Sequence, residues 1–127
     1  MSMSSFNKLI GYLEDHDFDS KGNMVIPDIP MDALIVIMVQ ASWCPHCLAA
    51  KPEFQKFAEK HKGKVICLTI QADGDRESEK KLGNRINILN PRFRGFPDYM
   101  LFKSGKLIER EIKGRTVEHL EEFAGLL

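Results

Sequence analysis

The sequence predicts an α/β domain in which helices flank both faces of a mixed central β-sheet. Two aliphatic and β-branched runs, 34–39 and 65–70, have the composition of strands that are buried on both faces. A helical pattern separates them, which favours parallel pairing through a crossover. Two later segments that we interpret as strands, 99–102 and 107–112, flank the turn sequence Lys103-Ser104-Gly105-Lys106 and predict an antiparallel hairpin.

The first predicted helix begins near Cys44 and ends before Gly63. Its apolar residues recur at helical spacing and form one stripe, which comprises Ala50, Phe54, Phe57 and Ala58. Pro52 lies inside this helix, where we expect it to remove one backbone hydrogen bond and to bend the axis.

Two further helices are expected on the same grounds. A short polar helix is predicted over 75–82, and irregular chain follows it to residue 95. Thr116 is a suitable N-cap for a last helix. The apolar face of that helix would comprise Val117, Leu120, Phe123, Ala124 and Leu127.

The first 32 residues have the least regular pattern. Two alternatives stay open for their start, a short helix over 5–13 or an opening strand over 9–13. Turn-forming residues over 19–23 and two prolines, Pro27 and Pro30, interrupt the chain beyond it. We interpret 1–32 as a variable element that covers an edge of the sheet, within a single domain over 1–127.

Composition excludes some classes of partner. The chain has 18 basic and 18 acidic residues, so its formal net charge is zero and a nucleic-acid partner is not expected. The longest apolar stretch, 33–39, is too short to span a bilayer, and the first residues lack the pattern of a signal peptide. We therefore expect a cytoplasmic protein without a membrane partner.

Cys44 and Cys47 form a C-x-x-C pair at the start of the first helix. Residues three apart share a helix face, so the two sulfurs can come within bridging distance. The free N–H groups at the helix N-terminus favour a thiolate at Cys44, which is the species that attacks disulfides. A zinc site is the alternative, but no second pair of ligands completes it, so no metal and no cofactor are expected.

These residues carry a family resemblance. The run Trp43-Cys44-Pro45-His46-Cys47, with Pro52 after it, resembles the W-C-x-x-C motif and helix proline of the thioredoxin superfamily. Gly95-Phe96-Pro97 and the hairpin after it resemble that family's cis-proline loop. The resemblance covers about 33–125, with an insertion near 86–92. It implies the thioredoxin fold and a thiol–disulfide oxidoreductase with Cys44 and Cys47 as catalytic residues.

The resemblance also implies a substrate site. Phe96–Pro97 would be a cis peptide beside the disulfide, with the Phe96 backbone offered to an extended substrate. Trp43 would cover the disulfide and offer a flat apolar contact. If the chain has this fold, Phe93 and Phe96 lie near Trp43 and could form an apolar docking patch. Arg85, Arg92 and Arg94 could bias that patch toward acidic substrates, but we favour the alternative that they belong to a solvated loop.

The sequence departs from thioredoxins proper between and around the cysteines. Pro45-His46 is similar to the pair in the oxidase DsbA, and His46 could donate a hydrogen bond or a positive charge to the Cys44 thiolate. The family's buried aspartate and lysine correspond here to Met38 and Cys67. Cys67 lies mid-strand among aliphatic residues, and we interpret it as an inert buried thiol.

The leading hypothesis is an enzyme that exchanges disulfides with protein disulfide or dithiol substrates and leans toward oxidation. An intracellular oxidation relay would reconcile that direction with a reducing compartment. One alternative is a cytosolic reductase recharged by thioredoxin reductase or glutathione. Another is a non-catalytic binding module, or a subunit that bridges an iron–sulfur cluster through Cys44.

Overall fold

The computed structural model describes residues 6–30 and 32–126, and its strands form a mixed five-stranded sheet in the order β1-β3-β2-β4-β5. β3 pairs in parallel with β1 and β2, whereas β4 pairs antiparallel with β2 and β5. This sheet confirms the predicted fold class. The strands are β1 Gly11–Tyr12, β2 Leu34–Gln40, β3 Val65–Gln71, β4 Asp98–Lys103 and β5 Lys106–Ile108.

Helices pack on both faces of the sheet because the buried side chains of β2 alternate between two cores. Val36 and Met38 face a core shared with α1 and α4, and Ile35 and Ile37 face one shared with α2 and α3. The helices are α1 Pro45–Lys60, α2 Glu77–Gly83, α3 Ile86–Leu89 and α4 Val117–Phe123.

The predicted apolar stripe of α1 and the predicted N-cap of α4 are present. The four residues of the predicted α1 stripe are buried, and Pro52 lies inside the helix. The Thr116 side chain accepts a hydrogen bond from the backbone N–H of His119 and so caps α4. Leu127, the last residue expected on the α4 face, lies outside the described residues.

The N-terminal segment joins the sheet as a strand. β1 pairs with β3 at the sheet edge, which agrees with the strand alternative rather than the helix; Ser5, where the helix would begin, lies outside the described residues. A 3-10 turn, Asp15–Asp17, follows, and Phe18 and Met24 then pack into the core beneath α2 and α3.

Two predictions downstream of β3 were wrong. The segment expected to be irregular contains α3, because Ile86 and Leu89 are one helical turn apart and both are buried. The strand predicted over 107–112 ends at Ile108, where exposed charged residues begin. Arg110 then donates a hydrogen bond of 2.7 Å to the Phe123 carbonyl of α4, so the chain turns away from β4.

The hairpin between β4 and β5 forms through the predicted turn. Ser104 and Gly105 adopt positive φ angles of 55° and 76°. A Cβ atom on Gly105 would lie 2.9 Å from the Met24 carbonyl oxygen, so the turn requires glycine there. Within the described residues, no helix is both long enough and apolar enough to cross a bilayer.

Candidate active site

Cys44 occupies the N-cap of α1, at the carboxyl end of β2. Its Sγ accepts a hydrogen bond of 3.2 Å from the backbone N–H of Cys47, and Pro45 takes the first helical position, where no N–H donor is needed. The sequence therefore places the first sulfur at the N-terminus of the helix, within hydrogen-bond distance of a backbone N–H group.

The two cysteines differ in their surroundings. Cys44 is 3% exposed and lies among the exposed residues Trp43, Pro45 and His46, whereas Cys47 has no exposed surface. Burial, together with a hydrogen bond to Cys44, raises the pKa of the Cys47 thiol to about 12. This asymmetry suits an attacking thiol at Cys44 and a shielded thiol at Cys47. Both are free thiols in this structure.

The loop before β4 brings a backbone carbonyl to the first sulfur. The Cys44 thiol donates to the Phe96 carbonyl oxygen across 3.7 Å, and the Phe96–Pro97 peptide bond is cis, the isomer that the resemblance implies. The resemblance thus links two segments fifty-two residues apart, and the structure shows them in contact.

Trp43, Phe93 and Phe96 form an aromatic surface beside Cys44. The Trp43 and Phe96 rings meet edge to face at 5.5 Å between centroids, and Phe93 meets Phe96 at 5.2 Å. Trp43 is 67% exposed, so a flat apolar face next to the reactive thiol is open to a binding partner.

The arginines near this surface have different positions. Arg92 and Arg94 are exposed on the loop before Phe96. Arg85 is not available to a substrate, because its guanidinium donates hydrogen bonds to the Asp15 carboxylate and to three backbone carbonyls of the N-terminal segment. The suggestion that Arg85 biases substrate choice was therefore wrong.

His46 and Cys67 occupy opposite environments. His46 is exposed, and no hydrogen bond joins it to Cys44 among the described residues. Cys67 is 4% exposed, and burial raises its pKa to about 12, as befits an unreactive thiol. The sheet register places Cys67 beside Val36, so the residue next to Met38 is Thr69, whose hydroxyl donates to the Met38 carbonyl at 2.7 Å.

Asp73, which the sequence analysis did not single out, anchors the loop before Cys44. Its carboxylate accepts a hydrogen bond of 2.9 Å from the Ser42 N–H and another from the Ser42 hydroxyl. Burial opposes ionisation of Asp73, but these hydrogen bonds prevail and lower its pKa. Across the described residues, no three His, Cys, Asp or Glu side chains are grouped closely enough to share a metal ion.

Lys51 is a second residue that sequence reasoning missed. It follows Cys47 by four residues on α1 and has no exposed surface. Its position in the sequence could have revealed it: Lys51 lies four residues after Cys47 and three before Phe54, on the helix face where periodicity predicts buried side chains.

A family comparison agrees with this geometry. Residues 13–125 match the thioredoxin family model. This chain belongs to the thioredoxin family. Over 115 residues it is 41% identical to the thioredoxin-like protein 453L of Invertebrate iridescent virus 6, a match that covers 82% of this chain and 83% of that protein.

More distant relatives of this thioredoxin-family chain are larger proteins. It is 39% identical over 84 residues to a thioredoxin domain-containing protein of Theileria parva, covering 66% of this chain and 34% of that protein. It is 32% identical over 94 residues to a protein disulfide-isomerase A6 homolog of Drosophila melanogaster, covering 73% of this chain and 20% of that protein. The match therefore covers only one part of each of these longer proteins.

Solved structures show the same fold at lower sequence identity. The J-Trx1 fragment of ERdj5 superimposes with a TM-score of 0.63 at 22% identity, covering 94% of this chain and 50% of that one. The Trx4 domain of ERdj5 gives a TM-score of 0.60 at 19% identity, with 90% of both chains covered.

Proposed function

We propose that this chain exchanges disulfides with protein substrates, with Cys44 as the attacking thiol and Cys47 as the resolving thiol. The observation that carries the proposal is the position of Cys44. Its sulfur caps α1, accepts the Cys47 N–H and lies 3.7 Å from the Phe96 carbonyl beside the exposed aromatic surface.

The exchange has two balanced steps. The Cys44 thiolate attacks a substrate disulfide, forms a mixed disulfide and releases one substrate thiolate. The Cys47 thiolate then attacks the Cys44 sulfur, so the Cys44–Cys47 disulfide forms and the second substrate thiolate leaves. In the oxidising direction the same steps run backward, and Cys47 is the leaving group when a substrate thiolate attacks Cys44.

Substrates of this site are extended protein segments. Trp43 and Phe96 provide an apolar contact beside the thiol, and the cis Phe96–Pro97 loop offers backbone groups next to it. Arg92 and Arg94 are exposed nearby, which favours acidic segments over basic ones.

The direction proposed is oxidation of substrate dithiols. The N-cap hydrogen bond to the Cys44 sulfur stabilises the dithiol form, which makes the corresponding disulfide a stronger oxidant. The fully buried Met38 also leaves no carboxylate at that position of β2. The alternative direction is reduction, with thioredoxin reductase or glutathione as electron donor, and a non-catalytic binding or iron–sulfur module is the remaining alternative.

Trapping of mixed disulfides tests the assignment. A Cys47→Ser variant should accumulate covalent complexes with a disulfide substrate, because the mixed disulfide on Cys44 is not resolved. A Cys44→Ser variant should form none, and Cys67→Ser serves as the matched control with wild-type turnover. Complexes formed by Cys44→Ser, visible on non-reducing gels and lost on reduction, would show that the two roles are reversed.

A further inference from the structure

Lys51 places a titratable amine inside the core, on the helix that carries both active-site thiols. Cys47 and Lys51 are four residues apart on α1, which puts them on one face of the helix, and neither has exposed surface. Lys56 and Lys60 on the same helix instead direct their side chains outward, with 69% and 59% exposure.

The Lys51 amine has both an aromatic ring and ionisable side chains among its described neighbours. Its Nζ lies 5.9 Å from the centre of the Phe6 ring. Among the described residues, Cys47 acts most strongly on the charge of the Lys51 amine, followed by Asp73 and Cys44. Burial lowers the pKa of Lys51, so the neutral amine is more accessible here than at the protein surface.

Cys47 needs a proton acceptor. Resolution of a mixed disulfide requires its thiolate, yet burial, together with the hydrogen bond to Cys44, raises the pKa of Cys47 to about 12 in the dithiol form, so this thiol is almost entirely protonated at neutral pH. Any group that takes this proton and then stabilises the thiolate will speed the second step of exchange.

The other described groups around Cys47 do not suit this task. Tyr99, on β4, interacts with Cys47, but burial raises the pKa of its hydroxyl, which therefore stays protonated at neutral pH. Asp73 acts on Lys51, and its hydrogen bonds with Ser42 lower its pKa and make it a weak base. Cys44 is itself consumed in the mixed disulfide. Met38, also packed in this core, is apolar.

We propose that Lys51 is the buried proton acceptor and charge partner of the resolving cysteine. In the mixed disulfide the neutral Lys51 amine takes the Cys47 proton, and the resulting thiolate attacks Cys44 and expels the substrate thiolate. The ammonium returns its proton, through solvent, to the released thiolate. In the oxidising direction the ammonium stabilises Cys47 as it leaves. This inference rests on the proposed function and assigns one further residue to it.

The test uses the full chain in a Cys67→Ala background and dithiobis(nitrobenzoate) as the disulfide. Attack by Cys44 releases one thionitrobenzoate at a rate that depends on reagent concentration. Attack by Cys47 releases a second thionitrobenzoate at a rate that is independent of reagent concentration. The two phases therefore report separately on the two thiols.

Lys51→Met should slow the second phase about 10-fold or more at pH 7, while the first phase stays within about 2-fold. The pH midpoint of the second phase should rise by about one unit. Lys56→Met, on the exposed face of the same helix, should change neither phase. Lys51→Gln provides a second neutral variant, and thermal unfolding verifies that each variant is folded.

An unchanged second phase and pH midpoint in a folded Lys51 variant would overturn the inference. So would an equal slowing of both phases, which is what a merely structural role would produce. A wild-type protein that releases the first thionitrobenzoate but never the second would instead contradict the proposed exchange function, and the inference with it.

Discussion

Arg85 joins two segments that the sequence separates by seventy residues. Its Nε donates to the Asp15 carboxylate at 2.7 Å, and its terminal nitrogens donate to the backbone carbonyls of Asp15, Phe18 and Asp19 at 2.8–3.0 Å. The side chain is only 17% exposed. A planar guanidinium can satisfy this many acceptors at once, which an ammonium cannot.

Arg85→Ala should lower the free energy of unfolding by roughly 2–4 kcal/mol, because it removes the donor to the Asp15 carboxylate and the Phe18 carbonyl and one of the two donors to each of the Asp15 and Asp19 carbonyls. Arg85→Lys should recover less than half of that loss. Urea unfolding measures both. Arg92→Ala is the matched control, since its 3.8 Å contact with Glu109 is exposed on both sides, and it should cost less than about 0.5 kcal/mol. Equal losses in Arg85→Ala and Arg92→Ala would contradict this account.

Residues that act through local pattern were predictable, and those that act at long range were not. Cys44, Cys47 and Pro97 were found because motif spacing marks them. Arg85 was misassigned because its acceptors are backbone carbonyls far along the chain, and nothing in the sequence marks these. Lys51 was overlooked because a lysine in an amphipathic helix is ordinarily solvated, although its position within the apolar stripe indicated burial.

α1 and α4 are clasped together by a single carboxylate. Glu121 Oε2 lies 2.7 Å from both Lys60 Nζ and His61 Nε2, and its side chain is only 10% exposed. The hydrogen bonds from Lys60 and then His61 hold the Glu121 pKa below its ordinary value of 4.5, although burial opposes them.

We expect the contact of Glu121 with Lys60 and His61 to make the free energy of unfolding depend on pH in the acid range. Because the folded-state pKa of Glu121 is depressed, its stabilising contribution is present above pH 4.5 and is lost as the pH falls through the folded-state value. Glu121→Gln should therefore be less stable than wild type at neutral pH, and the two proteins should converge in acid. Chemical unfolding over a pH series measures this.

Glu122→Gln is the neighbouring control for the clasp. Glu122 is 49% exposed and pairs with Lys113, so its replacement should leave the pH dependence of stability nearly unchanged. A gap between wild type and Glu121→Gln that stays constant down to pH 2 would show that the pairing does not depend on the charge of Glu121.

Element boundaries show a similar division between local and distant causes. The bounds of β2, β3 and α1 follow from uninterrupted apolar periodicity and were predicted to within one or two residues. The end of β5 was misplaced because the strand was extended to the next apolar residue, Ile112, whereas Arg110 finds its acceptor on α4. Competition between two partners for one segment is invisible in that segment's own sequence.

At the scale of the whole molecule, the reduction potential reports the difference in free energy between the folded dithiol form and the folded disulfide form. Contacts that stabilise the dithiol form, such as the N-cap hydrogen bond to Cys44, raise the potential by about 30 mV for each 1.4 kcal/mol. We expect a value between those of thioredoxin and DsbA, about −270 and −120 mV. Equilibration with glutathione buffers measures it.

Exchanging the two residues between the cysteines tests whether they set that potential. The reduction potential of the double variant Pro45→Gly with His46→Pro should be lower by up to about 60 mV. This variant removes the proline from the first helical position and the imidazole from the segment between the two cysteines. The single variant Cys67→Ala should leave the potential unchanged. An unaltered potential in the double variant would show that the two residues between the cysteines do not tune it.

Trp43 is the one tryptophan of the chain, and it lies directly before Cys44. Its indole is 67% exposed and meets the Phe96 ring edge to face, so its fluorescence samples the neighbourhood of the thiols and little else. The protein thus carries an intrinsic optical probe at the position where a partner would dock. Emission recorded in stopped flow can follow formation of the Cys44–Cys47 disulfide and arrival of a substrate in real time, without a label.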